Sequence, residues 1–592
     1  MTNQRNLLFA VVLSALLLLG WDAAVGYLYP QPANTAAVEG IADTPAEMAA
    51  VSGAGSGTTA SGAGLAPGVA GATPVTLESA LASSNRVRID SPLLAGSINL
   101  RGAVIDDVVL KEYRETTEED SPPVRLFAPA GTPQPYFAEF GFLANGQRVP
   151  ADAVWEADGE VLSPDSPVVL THRGADGLTY TIALSIDSQY MITAEQRVAN
   201  TSGGAAVVQP FALIARTSET ASEDFFIAHS GPIGVFGGSA NYDYGYDDLP
   251  VGDMTTPEGE AEWLGFTDIY WLSALIPGAG ETEASFRALG GNLFRADVVQ
   301  EPITLPAGRA ITATNRLFVG AKESALLDAY EDSGIERFGL AIDWGWFRWF
   351  EKPLLWLLHQ LYELAGNFGV AIILLTVVVR GVMFPVAQKQ FSSMAGMKAI
   401  QPRMKEVQEK HKEDRVKQQQ EMQKLFKDEG VNPLAGCLPL IIQIPIFFAL
   451  YKVLYLAIEM RHRPFLWIDD LSAPDPAVIL NGFGLLPFDP PGFLAIGVLA
   501  VLLGLTMWMT FQLNPVSDPM QRQIFNIMPW VLMFVMAPFA AGLLIYWNTS
   551  NILTLAQQKY LYSKHPQLRA AAEAERAEKD AQKAAGKTGA NS

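Results

Sequence analysis

Hydrophobic and polar positions follow several distinct rhythms along this chain. Leu7 to Tyr29 is an apolar run interrupted by Asp22, either a cleaved secretory signal or a retained anchor; the anchor, residues 1–29, is the preferred reading, and both send the following chain out of the cytoplasm. Residues 30–84 are mostly Ala, Gly, Ser, Thr and Pro, too poor in large apolar groups to offset their ordering entropy, and read as a disordered linker. Residues 85–334 carry short alternating segments such as Thr179 to Asp187, "TYTIALSID", separated by Gly, Asn, Asp and Pro. That rhythm predicts a large antiparallel β-sandwich. Over 335–364 four tryptophans (Trp344, Trp346, Trp349 and Trp356) alternate with charges, the pattern of an amphipathic helix lying at a membrane interface.

From 365 to 562 the apolar runs lengthen. Spans are expected at Gly366 to Val386, Leu434 to Leu456 and Gly492 to Leu513. The run from Ile524 to Leu561 would rise ~57 Å as one helix, nearly twice a ~30 Å hydrocarbon core, and breaks at Pro538 into two short spans. Between the first two runs, residues 388–431 place Met394, Met397, Ile400, Met404 and Val407 at steps of three and four, then continue as "EDRVKQQQEMQKLFKDEG" to Gly430. A cytoplasmic helical hairpin is predicted there. The expected fold is thus an α-helical polytopic membrane domain of six transmembrane helices, five of them a core, with a large outer β-sandwich and a tail at 563–592.

Charge sets the orientation. Residues 30–335 hold 15 Lys/Arg against 40 Asp/Glu, while the whole chain is −21, so the remainder is mildly basic. The 388–431 loop alone has ten Lys/Arg, which by the positive-inside rule places it, and both termini, in the cytoplasm and the acidic sandwich outside. A single cysteine, Cys437, excludes an intramolecular disulfide; the box Leu434-Ala435-Gly436-Cys437 lacks the signal sequence that would make it a lipoprotein site. Gly586-Lys587-Thr588 lacks the first glycine and the strand of a phosphate loop. No cluster of His with carboxylates, no metal set and no cofactor motif is found, so an enzyme is not expected.

One residue resists the membrane reading. Arg380 sits inside "AIILLTVVVRGVMFPV", where an arginine costs about 2.5–3.5 kcal/mol at mid-bilayer on insertion scales. No Asp or Glu occurs from Leu434 to Ile458, from Gly492 to Ser517, or from Pro519 to Ala572. The spans offer neutral groups instead: Thr376, Gln443, Thr506, Thr510, Gln512, Asn548, Thr549, Ser550, Asn551 and Thr554. These suit either hydrogen bonding between helices or a wet cavity, the latter being the preferred reading. An unpaired cation in a cavity suits an anion transporter or channel, or an insertase whose clients bring their own carboxylates; the lack of two related halves favours the second.

The stretches "DWGWFRWFEKPLLWLL", "GNFGVAIILLTVVVRGVMFPV", "VNPLAGCLPLIIQIPIFFALY", "EMRHRPFLWIDDLSAPDP" and "SDPMQRQIFNIMP" resemble the YidC insertases of bacterial inner membranes, over about residues 335–562. The resemblance implies an insertase and chaperone with a periplasmic sandwich and a five-helix core around a hydrophilic groove. Arg380 falls on the groove arginine, with Thr376 and Gln443 lining the groove. Trp547 stands where many relatives have Tyr. Ile444, Phe447, Leu450 and Val535 fall on an apolar slide for client helices. Implied partners are nascent membrane proteins with short acidic translocated segments, Sec translocon components (insertion proceeding with or without them) and membrane lipids. Ribosome contact through the modestly basic tail is only weakly suggested, and nucleic-acid sequence recognition is not implied.

Overall fold

The alternation in "TYTIALSID" becomes the strand Leu178–Ile186, where every second side chain, from Leu178 through Ile186, is buried. It pairs with strands Val168–Arg173 and Met191–Asn200 in antiparallel register. The computed structural model describes residues 75–564 apart from 83–84, 223–227, 389–399, 401–402, 405, 413, 430–437, 487, 489, 492–493 and 514–518. The anchor expected at 1–29, nearly all of the linker and nearly all of the tail lie outside the described residues. Among those described, the strands form a twelve-stranded and a nine-stranded sheet that share one hydrophobic core, the sandwich that alternation requires.

Strand Tyr136–Ala144 is buried at every position, because it lies in the middle of the larger sheet with the second sheet on one face and a smaller cluster of Phe137, Leu143, Phe211 and Leu213 on the other. Gly141 is needed there, since a Cβ would stand 2.3 Å from the Phe211 ring. Gln196 bolts the sheets together: its Nε2 donates to the carbonyls of Gly141 (2.8 Å) and Phe211 (2.9 Å), while its Oε1 accepts from Asn315 Nδ2 at 2.7 Å. A second polar link is ionic. Arg216 Nη2 lies 2.6 Å from Asp268 Oδ2, with both side chains nearly sealed from solvent, and Asp268 Oδ1 also accepts from Ser222 N at 2.9 Å.

Eight helices carry the rest of the argument. Helix α1 is Ser324–Asp332, α2 Arg348–Ala365, α3 Phe368–Val382, α4 Arg415–Asp428, α5 Leu438–Leu456, α6 Val498–Leu513, α7 Pro519–Met536 and α8 Ala541–Lys564. The interfacial helix predicted from residue 335 begins only at Arg348: short 3-10 turns occupy Phe338–Ala341 and Gly345–Phe347, and Arg337 and Gly345 take positive φ, which breaks helical propagation. Trp344 is buried in the core, whereas Trp349 and Trp356 are 74 % and 63 % exposed. The interfacial aromatic set is therefore smaller than the sequence suggested. The inward face of α2 is Glu351, Leu354, Leu355 and Leu358, spaced as one side of a helix.

Among the described residues no helix is long and apolar enough to cross a membrane. Helices α3 and α6 have 15 and 16 residues, about 22–24 Å of rise. The apolar run expected from Gly492 becomes helical only at Val498, where Asp475 Oδ2 accepts from Leu499 N at 2.7 Å and so meets the open N-terminus of α6. The break at Pro538 is a turn, with α7 ending at Met536 and α8 starting at Ala541. In the 388–431 segment Met394 and Met397 lie outside the described residues; Ile400 and Met404 are buried, α4 is capped by the Asp414 side chain, and Arg403 pairs with Glu429 across the hairpin.

The outer loop after α5 ties helices to sandwich. Arg461 donates through Nη1 to Arg114 O (2.7 Å) and through Nη2 to Glu115 O (3.1 Å), and its guanidinium covers the Trp271 ring. Lys452 of α5 meets Asp343 at 3.3 Å. Glu351 is 1 % exposed and its Oε2 has no hydrogen-bond partner; burial pushes its carboxyl up to about 7 against the attraction of Lys452, with added repulsion from Asp343.

Two outcomes follow from these buried charges. Asp268→Ala strands Arg216 in the core and should cost about 3–5 kcal/mol, whereas replacing both partners with apolar residues should cost less; thermal melts of the full chain compare them. A carboxyl whose pKa is raised on folding binds extra protons between its ordinary value and about 7, so its stability contribution is lost as pH rises through that window. Glu351→Gln should accordingly raise the melting midpoint by about 2–4 °C at pH 8, and the gap should close by about pH 4.

Candidate functional site

Arg380 lies in the last turn of α3. The helix starts at a corner built for it: Gly366 ends α2 with positive φ, and the Asn367 side chain accepts from Val370 N at 3.2 Å while donating to Pro464 O at 3.0 Å. Gly369 lets the Phe465 ring lie against the helix, since a Cβ there would stand 2.2 Å from it. The outer loop thereby fixes the tilt of α3, and with it the direction in which Arg380 leaves the helix.

The guanidinium ends on α8. Arg380 Nε donates to Ser550 Oγ at 3.0 Å, and Nη2 donates to the same oxygen. Ser550 is 2 % exposed. No carboxylate pairs with Arg380 among the described residues. Helix α8 reaches this position because Gly542 allows close approach to Ile372 of α3, and because the backbone carbonyls of Leu471 and Ala473 accept from the open N–H groups of Gly542 and Ala541. It packs against α3, α5 and α6, which makes it the hub of the bundle.

The other neutral groups divide by face. Asn548 Nδ2 donates to Leu499 O (3.0 Å), its Oδ1 accepts from Thr506 Oγ1 (3.2 Å), and Asn551 Nδ2 donates to Thr506 Oγ1 (3.1 Å). All three are buried. They join α6 to α8 by direct hydrogen bonds, the first of the two roles expected for such groups. Thr376, expected to line a groove, is 1 % exposed and turns its hydroxyl back to Ile372 O at 2.7 Å. The side chains of Gln443 and Ile444 lie outside the described residues.

Trp547 and Phe447 meet with ring centroids 4.8 Å apart, joining α8 to α5. Leu450 is wholly buried, while Val535 on α7 is 54 % exposed. The four residues placed on an apolar slide are therefore not one exposed strip: Leu450 belongs to the core. Beside Arg380 the surface is open. Val377, Val378 and Val382 are exposed, and a Cβ added at Gly381 would meet nothing within 4 Å. Ser550 was one of ten neutral candidates in the sequence; its only distinguishing signal is its place on the α8 face opposite to Asn548. No group of His, Cys, Asp and Glu suited to a metal occurs among the described residues.

Two family models match the chain: "60Kd inner membrane protein" over residues 360–568 and "YidC periplasmic domain" over 86–357. A membrane protein insertase YidC of Beijerinckia indica is 41 % identical over 577 residues, covering 94 % of this chain and 96 % of that one. Another, of Methylorubrum extorquens, is 42 % identical over 581 residues and covers 94 % of each chain. Among solved structures, an active YidC insertase with its first transmembrane domain resolved aligns with 82 % of this chain and 95 % of that chain at 17 % identity, with a TM-score of 0.34, too low to argue from. With about two residues in five identical along nearly the full length of these relatives, the chain belongs to the YidC family of membrane protein insertases.

Proposed function

We propose that Arg380 is the chain's temporary counter-ion for acidic residues in the short translocated segments of client membrane proteins. The observation that carries this reading is a cation held inside a helical bundle by a neutral hydroxyl, with no carboxylate partner among the described residues. Such a charge is costly to keep and is kept for a visitor. The exposed valines and the open space at Gly381 give that visitor a side from which to approach. The relatives' names lend no support to the competing transporter or channel reading.

In this mechanism a client's hydrophilic tail enters beside α3, its carboxylate meets Arg380, and its apolar helix leaves sideways along α5 and α7 into lipid. Phe447 and Val535 are the described positions that can touch it. The driving force is the client's own burial, about 1.5–3 kcal/mol for each large apolar side chain moved out of water. A few such side chains outweigh one arginine–carboxylate contact, so the contact releases. No nucleotide or cofactor is needed. We assign the chain to a bacterial inner membrane with six spans, both termini cytoplasmic and the acidic sandwich periplasmic, on the strength of its charge distribution. The short rises of α3 and α6 suit a locally thinned bilayer. Cooperation with the Sec translocon, contacts with membrane lipids and a weak ribosome contact through the basic tail belong to the same assignment.

Reversing the charge tests it. In proteoliposomes holding the purified full chain, Arg380→Glu should lower insertion of a client with an acidic short tail by on the order of tenfold, while Arg380→Lys keeps most of it, since a point cation suffices for transient attraction. Equal loss in both variants would point to a bidentate structural pair instead. Saturable flux of a small anion with no client insertion would establish transport.

A further inference from the structure

Among the described residues two donors of Arg380 converge on one atom, the Ser550 hydroxyl oxygen. Ser550 lies between Asn548 and Asn551, both of which are committed to α6, yet its own hydroxyl points to α3 and accepts two donors from the guanidinium. At 2 % exposure its oxygen has no bulk water to take the guanidinium's place, and α8 is pinned at its start by the outer loop. The oxygen is therefore a fixed point.

We propose that Ser550 is a positioning residue that parks Arg380 between clients, holding the guanidinium at the α3–α8 contact and exchanging it for a client carboxylate. This rests on the reading of Arg380 given above. A hydroxyl suits the task for a specific reason. It satisfies the donors well enough to stop the long side chain swinging toward the membrane surface, yet a charge-assisted fork to a carboxylate is stronger and displaces it. An acid at position 550 would reverse that order: the chain would supply internally the partner that clients must bring, and the arginine would not leave it. A threonine keeps the hydroxyl and the exchange. The open side at Val377, Val378 and Gly381 lets the carboxylate reach the guanidinium while it is still parked, so the exchange need not pass through a free cation.

The test uses the full chain in proteoliposomes and two single-span clients that differ only in their short tails, one with two aspartates and one with two asparagines. Ser550→Asp should lower insertion of the aspartate client by about tenfold and leave the asparagine client within about twofold of the unaltered protein. Ser550→Thr should restore the unaltered behaviour with both clients. The asparagine client doubles as the folding control, because a damaged bundle inserts neither. Equal loss of both clients in Ser550→Asp, or no loss of the aspartate client, overturns the parking role. Arg380→Glu, run beside them, separates the two readings: if it discriminates between the clients and Ser550→Asp does not, only the parking role falls, and if it fails to discriminate, the reading of Arg380 itself falls.

Discussion

The interaction on which this bundle turns is the donation of the Arg380 guanidinium to the Ser550 hydroxyl. A permanent cation among apolar helices is tolerated only where something accepts its hydrogens, and here the acceptor carries no charge. A shift of α8 by about 1 Å relative to α3 would break bonds of this length. Much of the surrounding structure acts to prevent that shift. Gly542 leaves room for the Ile372 side chain of α3, the carbonyls of Leu471 and Ala473 close the start of α8, and Asn548, Asn551 and Thr506 lock its other face to α6.

Rigidity on the outer side is continued into the sandwich. The segment from Arg461 to Asp475 touches every part of the molecule that matters: Arg461 holds the strand carbonyls next to Trp271, Phe465 lies on α3 at Gly369, and Asp475 meets the N-terminus of α6. Backbone N–H groups at the outer ends of α6 and α8 thus find acceptors in the loop and not in water, which ties helix ends that would otherwise fray. The charge of Glu351 is the exception, a carboxyl sealed in the seam between α2 and α5 with one oxygen unpartnered. The inner side contrasts with this. Exposed valines and an unfilled space at Gly381 lie beside Arg380, so the bundle is braced where the sandwich stands and open beside Arg380.

How much of this was readable in advance depends on the range of the interaction. Strand alternation in "TYTIALSID", the break at Pro538 and the helix ending near Gly430 are local, and the pattern of neighbours is enough to announce them. Trp344 shows the limit. Its spacing matched three other tryptophans, yet Gly345 turns the chain and puts it in the core while Trp349 and Trp356 stay exposed. Leu450 is similar: an apolar residue on a span can face lipid, a client or the core, and only its neighbours decide that it is wholly buried.

The sequence by itself determined that a cation lies in an apolar run and that the nearby spans bring no carboxylate, because residue identity and long apolar runs need no coordinates to be counted. It also carried the charge contrast between the acidic residues 30–335 and the basic loop 388–431, and the resemblance to an insertase family. Tertiary structure alone decided which neutral group holds the cation. Successive helical residues are turned by about 100°, so Asn548 and Asn551 face one way and Ser550 the other. Which of those faces meets α6 and which meets Arg380 is set by the rotation of α8 in its packing, and that rotation comes from contacts far apart in the chain, at Gly542, Leu471 and Leu499.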